Sequence, residues 1–576
     1  MCGIFCFISQ TSSITLGEKV LEQCKCLLNN RGPNKAVRSD YGSRVLLLGT
    51  VLWQQGSKLC AQPVENDRFS FLFNGDLFVE RGNSTVADTR WMFEKLTESI
   101  ETNTFHNLIT QLKGPFSLIL LDRMTERVYF ARDSLGRNSL LMCSTDDGLI
   151  ISSVIGEGFP FQTIEIPPKG IYYVNYRKSL TQQNLIPWID DNAEEKCSIV
   201  SNDKLIKLPW FEKAVLKMNF NYHTILKDEV FPNEKVFDIL MRNECVSSMC
   251  GQLIEILSKS VRERTINTPQ HCKECIGTES RCPHSKVGIL FSGGIDCTII
   301  ALLVDKFVDQ DIPIDLINVA FQKVERPGNQ KSVISWDVPD RLTGRATLKE
   351  LHILRPKRKW QFVEVNVPRN ELENHKHHIS NLVFPLKSVL DESLGIALWF
   401  AARGEGILNE AKYNSPCRVL LVGSGADELF GGYSRHRAAF YRYLNPKEHH
   451  NKDEEIERAF SNLAVELEHD WKRLPSRNLA RDDRVIGDHG VTPRAPYLQE
   501  DFVSIVRSLE AYQKCYHPIG AGIGDKLTLR VCGYSLGLKN AAFLKKRALQ
   551  FGSRIADSRQ NANDVSIFLN KQSNLM

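Results

Sequence analysis

From residue 1 to about residue 190 the apolar positions fall in short runs separated by turn formers. Val45–Leu48, Phe69–Phe73, Phe116–Leu121, Arg127–Phe130 and Leu149–Ile151 have the length and composition of strands, with Asn74-Gly75-Asp76 among the turn signals between them. Two stretches in the same region, roughly 18–29 and 88–100, repeat apolar residues at helical spacing. This predicts an α+β or sandwich-like domain over 2–187. The pattern then dissolves into polar sequence beginning Asp190-Asp191-Asn192, which predicts a linker or insertion over 188–244.

Periodicity returns with Val246, Met249, Leu253, Ile256, Leu257 and Val261 on one helical face. Apolar strands follow at Val287–Phe291, Ile314–Phe321 and Arg418–Gly423, the first and last running into glycine-containing turns. Strands alternating with helices predict a parallel, doubly wound α/β sheet over 245–560, with ligands beyond the carboxyl ends of its strands. Residues 561–576 read as a disordered tail.

Composition narrows the function. At 576 residues the chain exceeds one hydrophobic core, and its 42% apolar and 24% charged content is that of ordinary globular proteins. A net charge of +5 with scattered basic residues gives no support to a nucleic-acid partner. No run of about 18 apolar residues and no signal-peptide pattern is present, so no membrane partner and a cytoplasmic location are expected. The 16 cysteines then read as reduced thiols, mostly buried.

Three groups of residues carry candidate chemistry. Removal of Met1 would give Cys2 a free α-amine beside its thiol, a nucleophile with its own base, and Asn74 with the N–H of Gly75 is a plausible oxyanion site after a strand. Ser292-Gly293-Gly294-Ile295-Asp296 follows an apolar strand, as a phosphate-cradling loop does, and Asp296 suits Mg²⁺. Cys272, Cys275, Cys282 and His284, with His271 beside them, lie close enough in sequence to form a tetrahedral zinc site.

Cys2-Gly3-Ile4, Arg31-Gly32-Pro33, Ala61-Gln62-Pro63, Asn74-Gly75-Asp76, Gly114-Pro115-Phe116 and Arg132-Asp133-Ser134-Leu135-Gly136-Arg137 follow, in order, the pattern of class II glutamine amidotransferases. The second half resembles the synthetase domain of glutamine-hydrolysing asparagine synthetases. Asp340-Arg341-Leu342-Thr343-Gly344-Arg345, Arg481 to Gly490 and Gln550-Phe551-Gly552-Ser553-Arg554 are similar to a subgroup of asparagine synthetase domain-containing proteins.

The resemblance implies an N-terminal Ntn-hydrolase (αββα sandwich) domain followed by an ATP-pyrophosphatase domain. It makes Cys2 the glutaminase nucleophile, Asn74 and Gly75 the oxyanion hole, and Asp88 the partner of the glutamine α-amine. It places Leu290, Ser292, Gly293, Gly294, Asp296, Val319 and Gly423 against ATP and pyrophosphate, with Asp296 and Asp427 facing magnesium. Glutamine, ATP and a carboxylate, by default aspartate, are the implied substrates.

Four positions depart from the pattern. Val51 and Leu52 stand where an arginine holds the glutamine carboxylate, and Ser424 and Thr492 replace acidic residues. Ala548 replaces a lysine, and Lys546 and Arg547, if helical, would point elsewhere. A different carboxylate acceptor, or a nucleotide-binding scaffold, stays open beside asparagine synthesis.

Overall fold

The computed structural model describes the chain except residues 80–84, 103, 105–106, 109–111, 159–160, 179, 182, 189–194, 198–218, 228–231, 270, 279–280, 323–334, 443–451, 557–563 and 572–576. Its first part is two antiparallel sheets laid face to face. One has six strands with Gly3–Ser9 near its middle, flanked by Val45–Val51 and Gly148–Ser152; the other has seven, with Phe69–Gly75, Phe116–Asp122 and Arg127–Arg132 adjacent.

The two-residue period of a strand explains the layering. Ile4, Cys6 and Ile8 point into the core between the sheets, against Leu72, Ile119 and Phe130. Phe5 and Phe7 point the other way, onto helix Thr15–Arg31. On the far side Phe71, Phe73, Leu118 and Leu120 pack on Met92, Phe93 and Leu96 of helix Asp88–Glu101. The layers are therefore helix, sheet, sheet, helix.

The second part is built on one sheet ordered Ala411–Asn414, Glu405–Leu408, Trp360–Val367, Ile314–Phe321, Val287–Leu290, Val419–Leu421, Thr492–Arg494. The last five strands are mutually parallel, and an antiparallel hairpin closes the first edge. Ile314–Phe321 is buried at every position, as a parallel strand covered on both faces must be. The chain winds outward in opposite directions from Val287–Leu290 and Val419–Leu421, so the switch point lies between them. Both glycine turns follow these two strands. No helix among the described residues is long and apolar enough to cross a membrane, and the described cysteines are free.

Two expectations need correction. The stretch 188–244 is not a bare linker. Strand Glu195–Cys197 extends the seven-stranded sheet, and Val236, Phe237 and Leu240 of helix Val236–Arg242 enter the core of the second part. Nor is the end of the chain a featureless tail: Ser566 hydrogen-bonds Glu392, and Leu569 of helix Ile567–Lys571 is buried in the second core. In both places a few apolar residues among polar ones find a core that local periodicity does not announce.

The two parts share one apolar cluster. Phe5, Phe7, Leu27 and Leu28 meet Ile379, Leu382, Val383, Val485 and Ile486. A charged seam runs alongside. Arg31 pairs with Asp483 at 2.8 Å with side-chain exposures of 0% and 1%, Arg137 with Glu500 at 2.6 Å, and Arg494 with Asp76. Removing one partner of a pair this deeply buried strands the other charge, at a cost of about 3–5 kcal/mol. Asp483→Ala is therefore expected to lower urea stability by that amount, read from tryptophan fluorescence; an unchanged midpoint would contradict the burial of this seam.

Candidate functional sites

Cys2 sits immediately before the central strand Gly3–Ser9 of the six-stranded sheet and is 7% exposed. Gln62 Nε2 lies 3.5 Å from its thiol, while Gln62 Oε1 accepts from Phe73 N–H at 2.6 Å. Gln62 thus ties the nucleophile to the strand ending at Asn74 and Gly75. Burial pushes the Cys2 thiol up, partly offset by the neighbouring amine and the Leu52 N–H, with Asp88 adding to the rise. The Asn74 side chain is buried: its Nδ2 makes one long contact of 3.4 Å to Ser117 Oγ, and its Oδ1 has no protein partner. An amide so poorly occupied inside a protein is available to a ligand.

Asp88 opens its helix with the carboxylate accepting from the N–H groups of Thr89, at 2.8 Å, and Leu77, at 3.4 Å. Gln62 thus links Cys2 to the strand that ends at Asn74 and Gly75, and the Asp88 carboxylate is near enough to act on the Cys2 thiol. Val51 and Leu52 are buried apolar side chains, 4% and 6% exposed. Arg31 donates from Nε to the Cys2 carbonyl at 3.3 Å and spends its other nitrogens on Asp483. With Met1 in place its buried amine, pushed down to about 5 by burial, donates to Thr492 Oγ1 at 3.2 Å. Thr492 also accepts from Gln54 Nε2 at 2.8 Å, so this residue faces the first domain.

The second site is a cavity of about 480 Å³ at the switch point. Leu290, Ser292, Gly294, Asp296, Val319, Gly423 and Asp427 all line it. Gly293 instead backs onto helix Pro339–Leu354. At φ +79° it sits in the left-handed region, and a Cβ there would meet Thr343 O at 2.6 Å. That contact lets the loop turn tightly before helix Ile295–Val304, whose first N–H groups face the cavity side.

Sequence reading missed the group that organises this cavity. Lys526 Nζ lies 2.7 and 2.6 Å from the two Asp296 oxygens and 3.0 Å from Asp427. Its backbone is left-handed, φ +54°, a conformation that costs a non-glycine residue about 1–3 kcal/mol and is held by surrounding structure. A lysine in Asp525-Lys526-Leu527 carries no local signal of this; only the fold brings the two loops to it.

Lys546 corrects a second expectation. Residues 544–548 form neither helix nor strand, Leu544 and Ala548 are extended, and Ala548 is the N-cap of the short helix Leu549–Gly552, so Lys546 is not on a helix. Lys546 reaches Asp427, and both Lys546 and Ala548 line the cavity. Burial works against the Asp427 carboxylate, but Lys526 and Lys546 outweigh it and hold its pKa below the usual range. Burial likewise opposes the Lys546 ammonium, and Asp427 more than compensates.

A smaller void of about 40 Å³ lies between the domains. Phe78, Pro115 and Asn138 line its first-domain side, and Val422, Ser424, Leu479 and Asp482 are common to it and the large cavity. Asn138 Nδ2 donates to Asn74 O at 2.7 Å, so the void begins one residue from the first site.

Asp340, inside the second cavity, has an unpartnered oxygen and is pushed up to about 7 by burial, against Lys546 and Arg547. A carboxyl raised in the folded state contributes stability below its unfolded value of 3.8 that is lost as pH rises toward about 7. Asp340→Asn cannot ionise. Without nucleotide, its melting temperature relative to the parent chain is expected to rise from about pH 5 to about pH 8; a constant difference would contradict this environment.

Family models agree with the two-part division. The model described as glutamine amidotransferase domain matches residues 56–157, and that described as asparagine synthase matches 363–536. An asparagine synthetase domain-containing protein of Drosophila melanogaster is 40% identical over 98% of this chain and 100% of its own length. Asparagine synthetase domain-containing protein 1 of Homo sapiens is 34% identical over 96% of this chain and 95% of its own. A Saccharomyces cerevisiae protein of the same description is 27% identical over 92% and 88%. With a four-layer sandwich joined to a doubly wound domain, this chain belongs to the asparagine synthetase domain-containing family of the glutamine-dependent amidotransferases and ligases.

Proposed function

We propose that the chain forms an amide from glutamine nitrogen and an ATP-activated carboxylate, aspartate being the default acceptor. With Met1 removed, the Cys2 amine takes the thiol proton, and the thiolate attacks the glutamine carboxamide. Asn74 and the Gly75 N–H bear the oxyanion, ammonia leaves, and water releases glutamate from the thioester. Ammonia then crosses the seam between Asn138 and Ser424. In the second cavity the acceptor carboxylate attacks the α-phosphate of ATP, pyrophosphate leaves, and ammonia displaces AMP from the acyl-adenylate.

The observation that carries this reading is Lys526, clamped between Asp296 and Asp427 in the lining of the switch-point cavity. A volume of about 480 Å³ lies within the range of small-molecule sites. The tight turn at Gly293 and the carboxylate pair suit a triphosphate and a hard divalent cation. Asp296 and Asp427 would hold magnesium, which when bound neutralises charge on the departing pyrophosphate. Lys526 and Lys546 supply cationic stabilisation where the family lysine is replaced by Ala548.

A second acceptor is favoured by one feature. Ser424 stands in the cavity wall where the family has an acid, and Arg473 and Arg477 line the same wall. Such a surface suits an acceptor bearing more negative charge than aspartate.

Pyrophosphate release with ATP, Mg²⁺, aspartate and ammonium tests the synthetase half directly. Lys526→Met is expected to lower it by about 10²–10³, whereas Cys2→Ala is expected to abolish glutamine-supported turnover and leave ammonium-supported turnover. Nucleotide binding with no pyrophosphate from any carboxylate would instead identify a scaffold.

A further inference from the structure

Between helix Glu244–Ile266 and strand Val287–Leu290 runs a stretch, 267–286, in which the described residues form neither helix nor strand. A loop of this length inside a compact domain needs something to organise it. Four side chains converge within it. The thiols of Cys272, Cys275 and Cys282 and one ring nitrogen of His284 all lie within 4.8 Å of one another. From His284 Nδ1 the three sulfurs are at 3.6, 3.3 and 3.9 Å.

Those distances have a specific meaning. With Zn–S of about 2.3 Å and Zn–N of about 2.0–2.1 Å at tetrahedral angles, the sulfur-to-nitrogen edge is about 3.5 Å. The three observed edges scatter about that value. A disulfide reading fits worse, because three thiols cannot pair completely and all three converge on the same nitrogen. The Cys272 N–H also points to Cys282 Sγ at 3.4 Å, the kind of N–H to sulfur contact that steadies a thiolate ligand.

We propose that Cys272, Cys275, Cys282 and His284 Nδ1 bind one zinc ion as a closed structural site. Binding releases the three thiol protons and leaves no open coordination position, so the site is not catalytic. Its role lies in what the loop holds. Lys273 N–H donates to Pro416 O at 3.0 Å, and Arg418 NH1 donates to His271 O at 3.5 Å. The same Arg418 donates to the Trp53 carbonyl, and its own carbonyl accepts from Gln54 Nε2 at 2.9 Å. Trp53 and Gln54 follow directly on Leu52, beside Cys2. The metal loop therefore buttresses the contact by which the synthetase domain holds the glutaminase wall. This inference does not depend on the acceptor or on turnover at either site.

Elemental analysis of the freshly purified full-length chain is expected to give about one zinc per chain. Replacement by cobalt should produce the thiolate charge-transfer and tetrahedral d–d bands of a sulfur-rich site. Cys275→Ala should lose the metal, while Cys26→Ala, on a distant exposed helix position, should retain it. Should Cys275→Ala fail to fold, a chelator acting on the parent chain decides the matter. It is expected to expose three thiols to a colorimetric reagent and make 267–286 and the Trp53–Gln54 contact protease-sensitive. A chain purified with zinc supplied that carries none, gives no cobalt bands and does not respond to chelator overturns the proposal.

Discussion

The buried pair of Arg31 and Asp483 is the contact on which the two-domain arrangement turns. Arg31 donates at once to the Cys2 carbonyl and to Asp483, so the backbone of the nucleophile is positioned by a carboxylate more than four hundred residues away. Asp483 also accepts from Ser139 N–H, while the next residue, Arg484, pairs with Glu165 and donates to Ser139 Oγ. One turn of helix Leu479–Gly487 therefore carries charges that the first domain neutralises. Neither domain could present these groups to an apolar neighbour without its partner, since an isolated buried charge is far more costly than a paired one.

That constraint has a chemical consequence. Helix Leu479–Gly487 also supplies Leu479 and Asp482 to the wall shared by the large cavity and the interdomain void. The same short element touches the support of Cys2 on one side and the switch-point cavity on the other. Asp488, just beyond it, accepts from Asn30 at 2.9 Å and from Trp399 at 2.8 Å, extending the clasp to the residue before Arg31. Arg418 and Thr492 also grip Trp53 and Gln54, so the first-domain segment after Leu52 is held by the second domain as well.

Much of this was legible in the sequence, for identifiable reasons. Strands such as Phe69–Gly75 and Ile314–Phe321 declare themselves because sheet burial imposes a local apolar pattern. The loops around Asn74 and Ser292 show because glycine and a preceding strand are needed for backbone to approach a ligand. The seam was not legible. Asp483 and Arg484 look like part of an ordinary polar helix face, and only partners distant in sequence make them interior. Lys526 is hidden for the same reason. Lys546 was misjudged because helical geometry was assumed for residues that form no helix before the cap at Ala548, and the few apolar residues of Val236–Arg242 and Ile567–Lys571 are too sparse to show a period.

The central claim is that nitrogen released at Cys2 is used across the seam at the Lys526 cavity. It is tested most directly by supplying amide-¹⁵N glutamine with ATP, Mg²⁺ and aspartate in an excess of unlabelled ammonium, and measuring ¹⁵N in the amide product. Enrichment in the product well above that of the bulk ammonium is expected if ammonia passes between the domains. Product labelled no more than the bulk pool would contradict that passage, and labelled ammonium with no amide product at all would contradict the synthetase half of the account with aspartate as acceptor.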